Sequence, residues 1–358
     1  MFRDLLCEEL THMGNCGSSK SGVALTRVNL TDKPPSPRTF TGAHVDDPVN
    51  DVACGTKAGE WISSGEDSVV SLADWREGHM VHTWRGHKKG VNCVVPAARL
   101  DGAVSAGRDC TIKLWRREQQ EPVRELLGHQ LSIAAIALSV DNETLCSGSR
   151  DSSVRVWDVQ RGVCTARSQV SRNVVTCMSW VSTEPLVLQG SEDLHLRLWD
   201  HRAMSKPAAV MAGYTYFPLT CAAMGDYFLT GSNGFDGEGC ELRLWDRRTL
   251  RQLVEMKGHL QAVSALDILP PTTSGASTLM AVSGSKDGEL RLWELSSGAC
   301  VAQQHLPAGG VCGLAASLPE DHPHTHFYTS TTCGEVHAYQ ADKQTGFVRV
   351  VTSTATGS

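Results

Sequence analysis

A ten-residue phrase, Ser149-Arg150-Asp151-Ser152-Ser153-Val154-Arg155-Val156-Trp157-Asp158, recurs along the chain, and this recurrence constrains the fold more than any other feature. Its Trp position is filled by Trp115, Trp157, Trp199, Trp245 and Trp293. Extending the register adds Ala73 upstream and Tyr339 downstream, with steps of 42, 42, 42, 46, 48 and 46 residues. Seven units follow one another without a gap. Six residues before each Trp position is a second slot, held by Asp67, Asp109, Asp151, Asp193, Gly239, Asp287 and Cys333. Four residues earlier again stand Ser63, Ser105, Ser147, Gln189, Ser283 and Thr329, and Gly-His pairs occur at Gly86-His87, Gly128-His129 and Gly258-His259. Apolar residues alternate with period 2, as in Val154 and Val156 or Leu196 and Leu198, so each unit reads as short strands. Gly and Asp mark the turns between them.

Gly-His followed by Trp-Asp at about 40–45 residues resembles the WD-repeat family, with four strands to a blade. The resemblance implies an all-β fold, a seven-bladed WD-repeat β-propeller over residues 41–352. A short flexible leader (1–40) precedes it and a tail (353–358) follows. Asp, His and Ser in one unit suggest a hydrolytic triad, but a triad occurs once and this set returns at the blade period. In the family these residues are similar to a buried hydrogen-bond relay. The sets are His87, Ser105, Asp109 and Trp115; His129, Ser147, Asp151 and Trp157; and His259, Ser283, Asp287 and Trp293. Blades 1, 4, 5 and 7 depart from it: blade 1 has Ala73, blade 4 has Ser171 where the His is expected, and blade 7 has Cys333 and Tyr339. Those blades are expected to lean on apolar packing and on ring closure, which removes exposed sheet edges. Either Phe347–Val351 or the stretch around Thr39 to Ala43 supplies the last outer strand.

A net charge of −6 argues against a phosphate-neutralising nucleic-acid binder. The 13 cysteines are scattered, without a C-x-x-C pair, and Cys93 and Cys177 sit in apolar strand patterns. We expect a reducing compartment and neither disulfides nor zinc. His322, His324 and His326 would share one face if extended, yet no fourth ligand accompanies them. No apolar run reaches membrane-helix length, and Met1 to Leu10 lacks a secretory core. No P-loop, nucleophile elbow, zinc-protease or dinucleotide fingerprint occurs, so no enzyme activity and no cofactor are expected. We expect a monomeric, cytoplasmic propeller.

Propellers bind through loops at the ring faces. The residues preceding the second slot are Glu66, Arg108, Arg150, Glu192, Glu238, Lys286 and Thr332. Blades 2 and 3 are therefore basic, helped by Lys88, Lys89 and Arg172, and blades 4 and 5 acidic through Glu192, Asp236 and Glu238. Either the surface is simply mixed, or the basic patch receives an acidic partner. Blade 5 also carries an insertion, Ser232 to Cys240, in which Phe235 is either an exposed anchor or folded onto its own blade. In the leader, Met13-Gly14-Asn15-Cys16-Gly17-Ser18 fits an N-myristoylation start if translation begins at Met13, with Cys16 placed for palmitoylation. Membrane contact would then come only through acylation of Gly14 and Cys16.

Two stretches exceed the generic repeat. One runs Val170-Ser171-Arg172-Asn173-Val174-Val175-Thr176 and on through Trp180 to Leu198-Trp199-Asp200; the other is Ser232-Asn233-Gly234-Phe235 through Glu241. They resemble WD-repeat accessories of cilium assembly. The resemblance implies a non-enzymatic scaffold for ciliary-trafficking or small-GTPase-regulatory proteins at the cilium or its base, with blades 4 and 5 as its contact surface. The alternative is a generic cytosolic adaptor such as a ubiquitin-ligase substrate receptor, for which the leader is too short to hold an adaptor-binding helix.

Overall fold

The computed structural model describes residues 38–41, 44, 47–182, 184–269, 279–306, 309–317, 325–342 and 346–354. Gly14, Cys16, His322 and His324 lie outside these described residues. Seven four-stranded antiparallel units run Val49–Arg85, Val91–Leu127, Ile133–Gln169, Val175–Met211, Pro218–Met256, Val263–His305 and Val311–Thr354. These are blades 1 to 7, and within each the strands are hydrogen-bonded in sequence order. The chain is a seven-bladed β-propeller, and one turn of 3-10 helix, Ala98–Leu100, is the only helical element among the described residues.

Both candidates for the closing strand are used. Gly346–Thr354 is the fourth strand of blade 7, and Arg38–Thr41 pairs parallel along its outer edge, Arg38 opposite Val351 and Thr41 opposite Thr354. An N-terminal strand thus covers the edge of the C-terminal blade, leaving it unavailable to another chain.

The core follows from the repeat. The Trp position is the fifth residue of a third strand in blades 1, 2, 3 and 6, and Ala73, Trp115, Trp157, Trp199, Trp245, Trp293 and Tyr339 are all buried. Blades 2 and 3 share a cluster in which Leu114, Leu126 and Ile136 pack with Trp157. Cys93 and Cys177 are buried in first strands as small apolar groups. His326 is buried in the second strand of blade 7, its ring 5.3 Å from that of Trp75 on blade 1.

The first strands stand side by side around the central channel, and side chains stitch several of them together. The second residue of the strand reaches the carbonyl that begins the next blade: Asn50 donates to Val91 at 2.9 Å and Asn92 to Ile133 at 2.7 Å. Thr176 donates to Pro218 and Ser264 to Val311, each at 2.5 Å. Deeper in, Asp51 accepts the amide of Val94, Ser179 that of Ala223 and Asp267 that of Ala316. Ala134 and Leu219 fill the stitching position in blades 3 and 5 and have no polar side-chain atom to offer. Blades 7 and 1 are joined instead by Trp75, whose indole donates to the Tyr328 hydroxyl at 3.0 Å.

Candidate functional site

The recurring polar residues are brought together inside the blades. In blade 2, His87 lies 2.9 Å from Asp109 through Nδ1 and 2.8 Å from the Ser105 hydroxyl through Nε2. The Trp115 indole donates to the same hydroxyl at 2.7 Å. Blade 3 repeats the set with 2.9, 2.7 and 2.8 Å for His129–Asp151, His129–Ser147 and Trp157–Ser147. In blade 6, His259 meets Ser283 at 2.7 Å and Trp293 donates to Ser283 at 2.8 Å, while Asp287 stands back at 3.5 Å.

Burial pushes the Asp109 carboxyl up, but hydrogen bonds from His87 and the Lys88 amide outweigh it and hold the group well below the usual carboxylate range. Asp151 behaves alike against Ser153, the Gln130 amide and His129. Burial keeps His129 below its ordinary value. The blade 3 set is thus a neutral imidazole between a carboxylate and a hydroxyl that is itself held by an indole. The serine oxygen that a triad would need as nucleophile is buried and bound to Trp, which fits a structural role.

Blades 1, 4 and 5, expected to lean on apolar packing and on ring closure, also carry polar relays of their own. In blade 1, His44 stands 3.0 Å from both Asp67 and Ser63, and Ser71 completes the set at 3.0 Å, two residues before Ala73. In blade 4 the His place belongs to Asn173, not Ser171. Asn173 accepts from Gln189 at 2.8 Å and from Arg197 at 2.9 Å, Arg197 pairs with Asp193, and Trp199 donates to Gln189 at 2.9 Å. In blade 5, Tyr214 meets the Thr230 hydroxyl at 2.7 Å, Trp245 donates to it at 3.3 Å, and Arg243 lies over the Tyr214 ring while pairing with Glu241 at 2.9 Å. The sequence signals were present but shifted: His44 follows Ala43 rather than Gly, and Asn and Tyr replace His.

Because His44, His87 and His129 each contact the turn between the second and third strands, that turn and the loop carrying the His share one face of the ring. On it, the basic patch is partly cancelled. Arg108 bonds Glu66 at 2.6 Å and Arg150 stands 3.6 Å from Glu192, each pair spanning two blades. Lys88, Lys89 and Arg172 are exposed, with no ion-pair partner among the described residues.

The blade 5 insertion occupies the same face. Phe235 is 57% exposed and sets its ring edge-on against Tyr216 at 5.7 Å. Its backbone is fixed by bridges to Glu238 and to Gln261 of blade 6, and the Gly237 amide donates to the Leu260 carbonyl at 2.9 Å. Leu260, 60% exposed, lies beside it. Gly239 has φ +70°, and a Cβ there would strike the Tyr216 ring, so only glycine fits. Asp236 and Glu238 are exposed and have no ion-pair partner among the described residues. Leu260 gave no periodic signal in the sequence; it directly follows His259, whereas the exposed Leu131 of blade 3 follows His129 by two residues.

One group among the described residues, His259, Asp287 and Glu289, has metal-ligand atoms close together. Glu289 is engaged by Arg291 at 2.7 Å and His259 by Ser283 through Nε2, while its Nδ1 faces Asp287 at 3.5 Å.

Residues 78–116, 120–158, 162–200 and 250–294 match the model of the WD domain, G-beta repeat. Each stretch begins just before the fourth strand of one blade and ends on the third strand of the next, so every repeat locks two blades together. Among curated proteins, the chain is 24% identical over 136 residues to nuclear distribution protein nudF of Aspergillus niger, covering 36% of this chain and 28% of that protein. It is 28% identical over 154 residues to nuclear distribution protein nudF 1 of Talaromyces marneffei (41% and 30%), and 27% over 113 residues to Protein SPA1-RELATED 3 of Arabidopsis thaliana (32% and 12%). The chain therefore spans less than a third of the length of each of these relatives.

Proposed function

Because this chain is a WD-repeat β-propeller of seven blades, we propose that it is a non-enzymatic scaffold that docks a partner protein on the face formed by blades 5 and 6. The observation that carries this is the exposed pair Phe235 and Leu260, held rigid by backbone hydrogen bonds and bordered by unpaired Asp236 and Glu238. Rigid aromatic and aliphatic anchors are what interface centres are built from, since little side-chain freedom is lost on binding. The rival basic patch is the weaker surface, because Glu66 and Glu192 already occupy two of its arginines.

The finer reading is that the partners are ciliary-trafficking or GTPase-regulatory proteins, met in the cytoplasm at the base of the cilium. It is supported by the resemblance of the blade 4 and 5 stretches, which contain Arg172, Glu192, Phe235 and Glu238. Proximity labelling with the full chain in a ciliated cell tests both levels, using wild type beside Phe235→Ser/Leu260→Ser. Ciliary proteins labelled by wild type and lost in the variant are the expected outcome. Identical labelling by both would remove the face, and ligase subunits without ciliary proteins would replace the cellular role.

A further inference from the structure

The opposite face of the ring carries a second concave feature. Between blades 2 and 3 lies a cavity of about 340 Å³, floored by Leu100, Leu114, Leu138 and Val159 with Val123 at its edge. It is formed where the 3-10 turn Ala98–Leu100 and the end of the third strand of blade 2 meet the turns of blade 3, away from the His–Asp loops. Leu100 and Leu138 are only half-covered although they pack against the core cluster. Volume and lining suit one or two apolar side chains, at the small end of the ligand-pocket range.

Its rim has a definite charge. Arg99 is tied to Glu143 at 2.6 Å and contributes no net field. Arg116 and Arg124 line the same cavity, both exposed, and neither has a carboxylate partner among the described residues. Arg124 donates to the Arg161 carbonyl, at 2.9 Å. Two unpaired guanidinium groups over an apolar floor attract a carboxylate attached to an apolar group, and a guanidinium binds carboxylates bidentately.

We propose that this groove seats an extended segment of a partner protein in which a Leu, Ile or Phe stands beside an Asp or Glu. The apolar side chain fills the floor over Leu100 and Leu138, and the carboxylate lies between Arg116 and Arg124. The site is independent of the face bearing Phe235: its chemistry is the reverse, since Asp236 and Glu238 make that face acidic. One ring would then hold two partners on opposite faces.

A displayed random-peptide library panned against the full chain provides the test, followed by affinity measurement on one synthetic peptide from the selection. The enriched peptides should pair an acidic residue with Leu, Ile or Phe. Affinity should fall at least about tenfold in Arg116→Glu/Arg124→Glu and stay unchanged in Phe235→Ser. Both arginines are exposed, so the variant should keep the wild-type melting temperature, which is measured alongside. Peptides without the acidic–apolar pair, or affinity indifferent to the two arginines, would overturn the proposal. Dodecanoate binding with the same arginine dependence, where no peptide is enriched, would overturn it in favour of a small amphiphile.

Discussion

His44 places its Nε2 3.0 Å from the Ser63 hydroxyl, the relation that His87 keeps with Ser105 one blade further on. A residue ahead of the first strand of blade 1 is thereby tied to the centre of that blade. His44→Ala should leave Ser63 and Asp67 short of a partner and destabilise the ring by about 1–3 kcal/mol. The check is a lower urea midpoint at unchanged slope. A midpoint equal to wild type would show that the His44 relay adds nothing to the stability of blade 1.

Ser105 and Trp115 differ in what they remove. Ser105→Ala takes away one oxygen that serves both His87 and Trp115, at a cost of about 1–3 kcal/mol. Trp115→Ala empties a fully buried site and should cost roughly 3–5 kcal/mol. Equal urea midpoints for the two variants would mean that the lost hydroxyl costs the blade as much as the lost indole.

Stability should depend on pH in two opposing ways. Burial pushes Asp51 up to about 7 and Asp267 up to about 6, against hydrogen bonds from Val94 and Val52 and from Ala316 and Ile268 respectively. The folded ring therefore binds more protons at these sites than the unfolded chain, and their contribution is present below the unfolded carboxylate value of about 4, falls as pH rises above it and is gone above about 6 to 7. Asp109, Asp151 and Asp287 are depressed, so their contribution is present above the unfolded carboxylate value of about 4 and is lost as pH falls below it. Asp51→Asn/Asp267→Asn should gain melting temperature relative to wild type between about pH 5 and about pH 8. A pH-independent difference would mean that both carboxyls titrate normally.

The charge pairs on the His-bearing face are expected to matter little for folding. Arg108 is half exposed and Glu66 a third exposed, so solvent screens the pair and Arg108→Ala should change stability by less than about 1 kcal/mol. A loss clearly beyond that in thermal unfolding would assign the pair a structural role.

The ring was legible because a period of 42 residues leaves few alternatives, and the Trp and Asp slots landed where strands and turns required them. The blade 1 relay was hidden because Ala43 rather than Gly precedes His44, and those in blades 4 and 5 because they are not centred on a His. Asn173 and Tyr214 satisfy the same geometry with other chemistry, and hydrogen bonding constrains the positions of atoms more than the names of residues. Phe235 was visible as an aromatic in a glycine-rich insertion, but whether it was exposed depended on Tyr216 and Leu260, which no local pattern places beside it. The cancellation of Arg150 by Glu192 was equally hidden, since the two lie on different blades, 42 residues apart in the chain.

The stitches around the channel have a mechanical corollary. Among the described residues no first-strand side chain hydrogen-bonds from blade 3 to blade 4 or from blade 5 to blade 6, where Ala134 and Leu219 stand. The core clusters that hold Ala135 with Val175 and Ala222 with Val263 make the join instead. Blades 4 and 5, joined to each other through Thr176 and Ser179, thus form a segment bounded by two seams without such stitches. Phe235 and Gly237 reach across one of those seams to Gln261 and Leu260. Whatever grips Phe235 and Leu260 together spans that seam, so occupancy of the face should stiffen it, and the slowing of amide exchange should extend through Thr176 and Ser179 into blade 4, beyond the footprint of the partner.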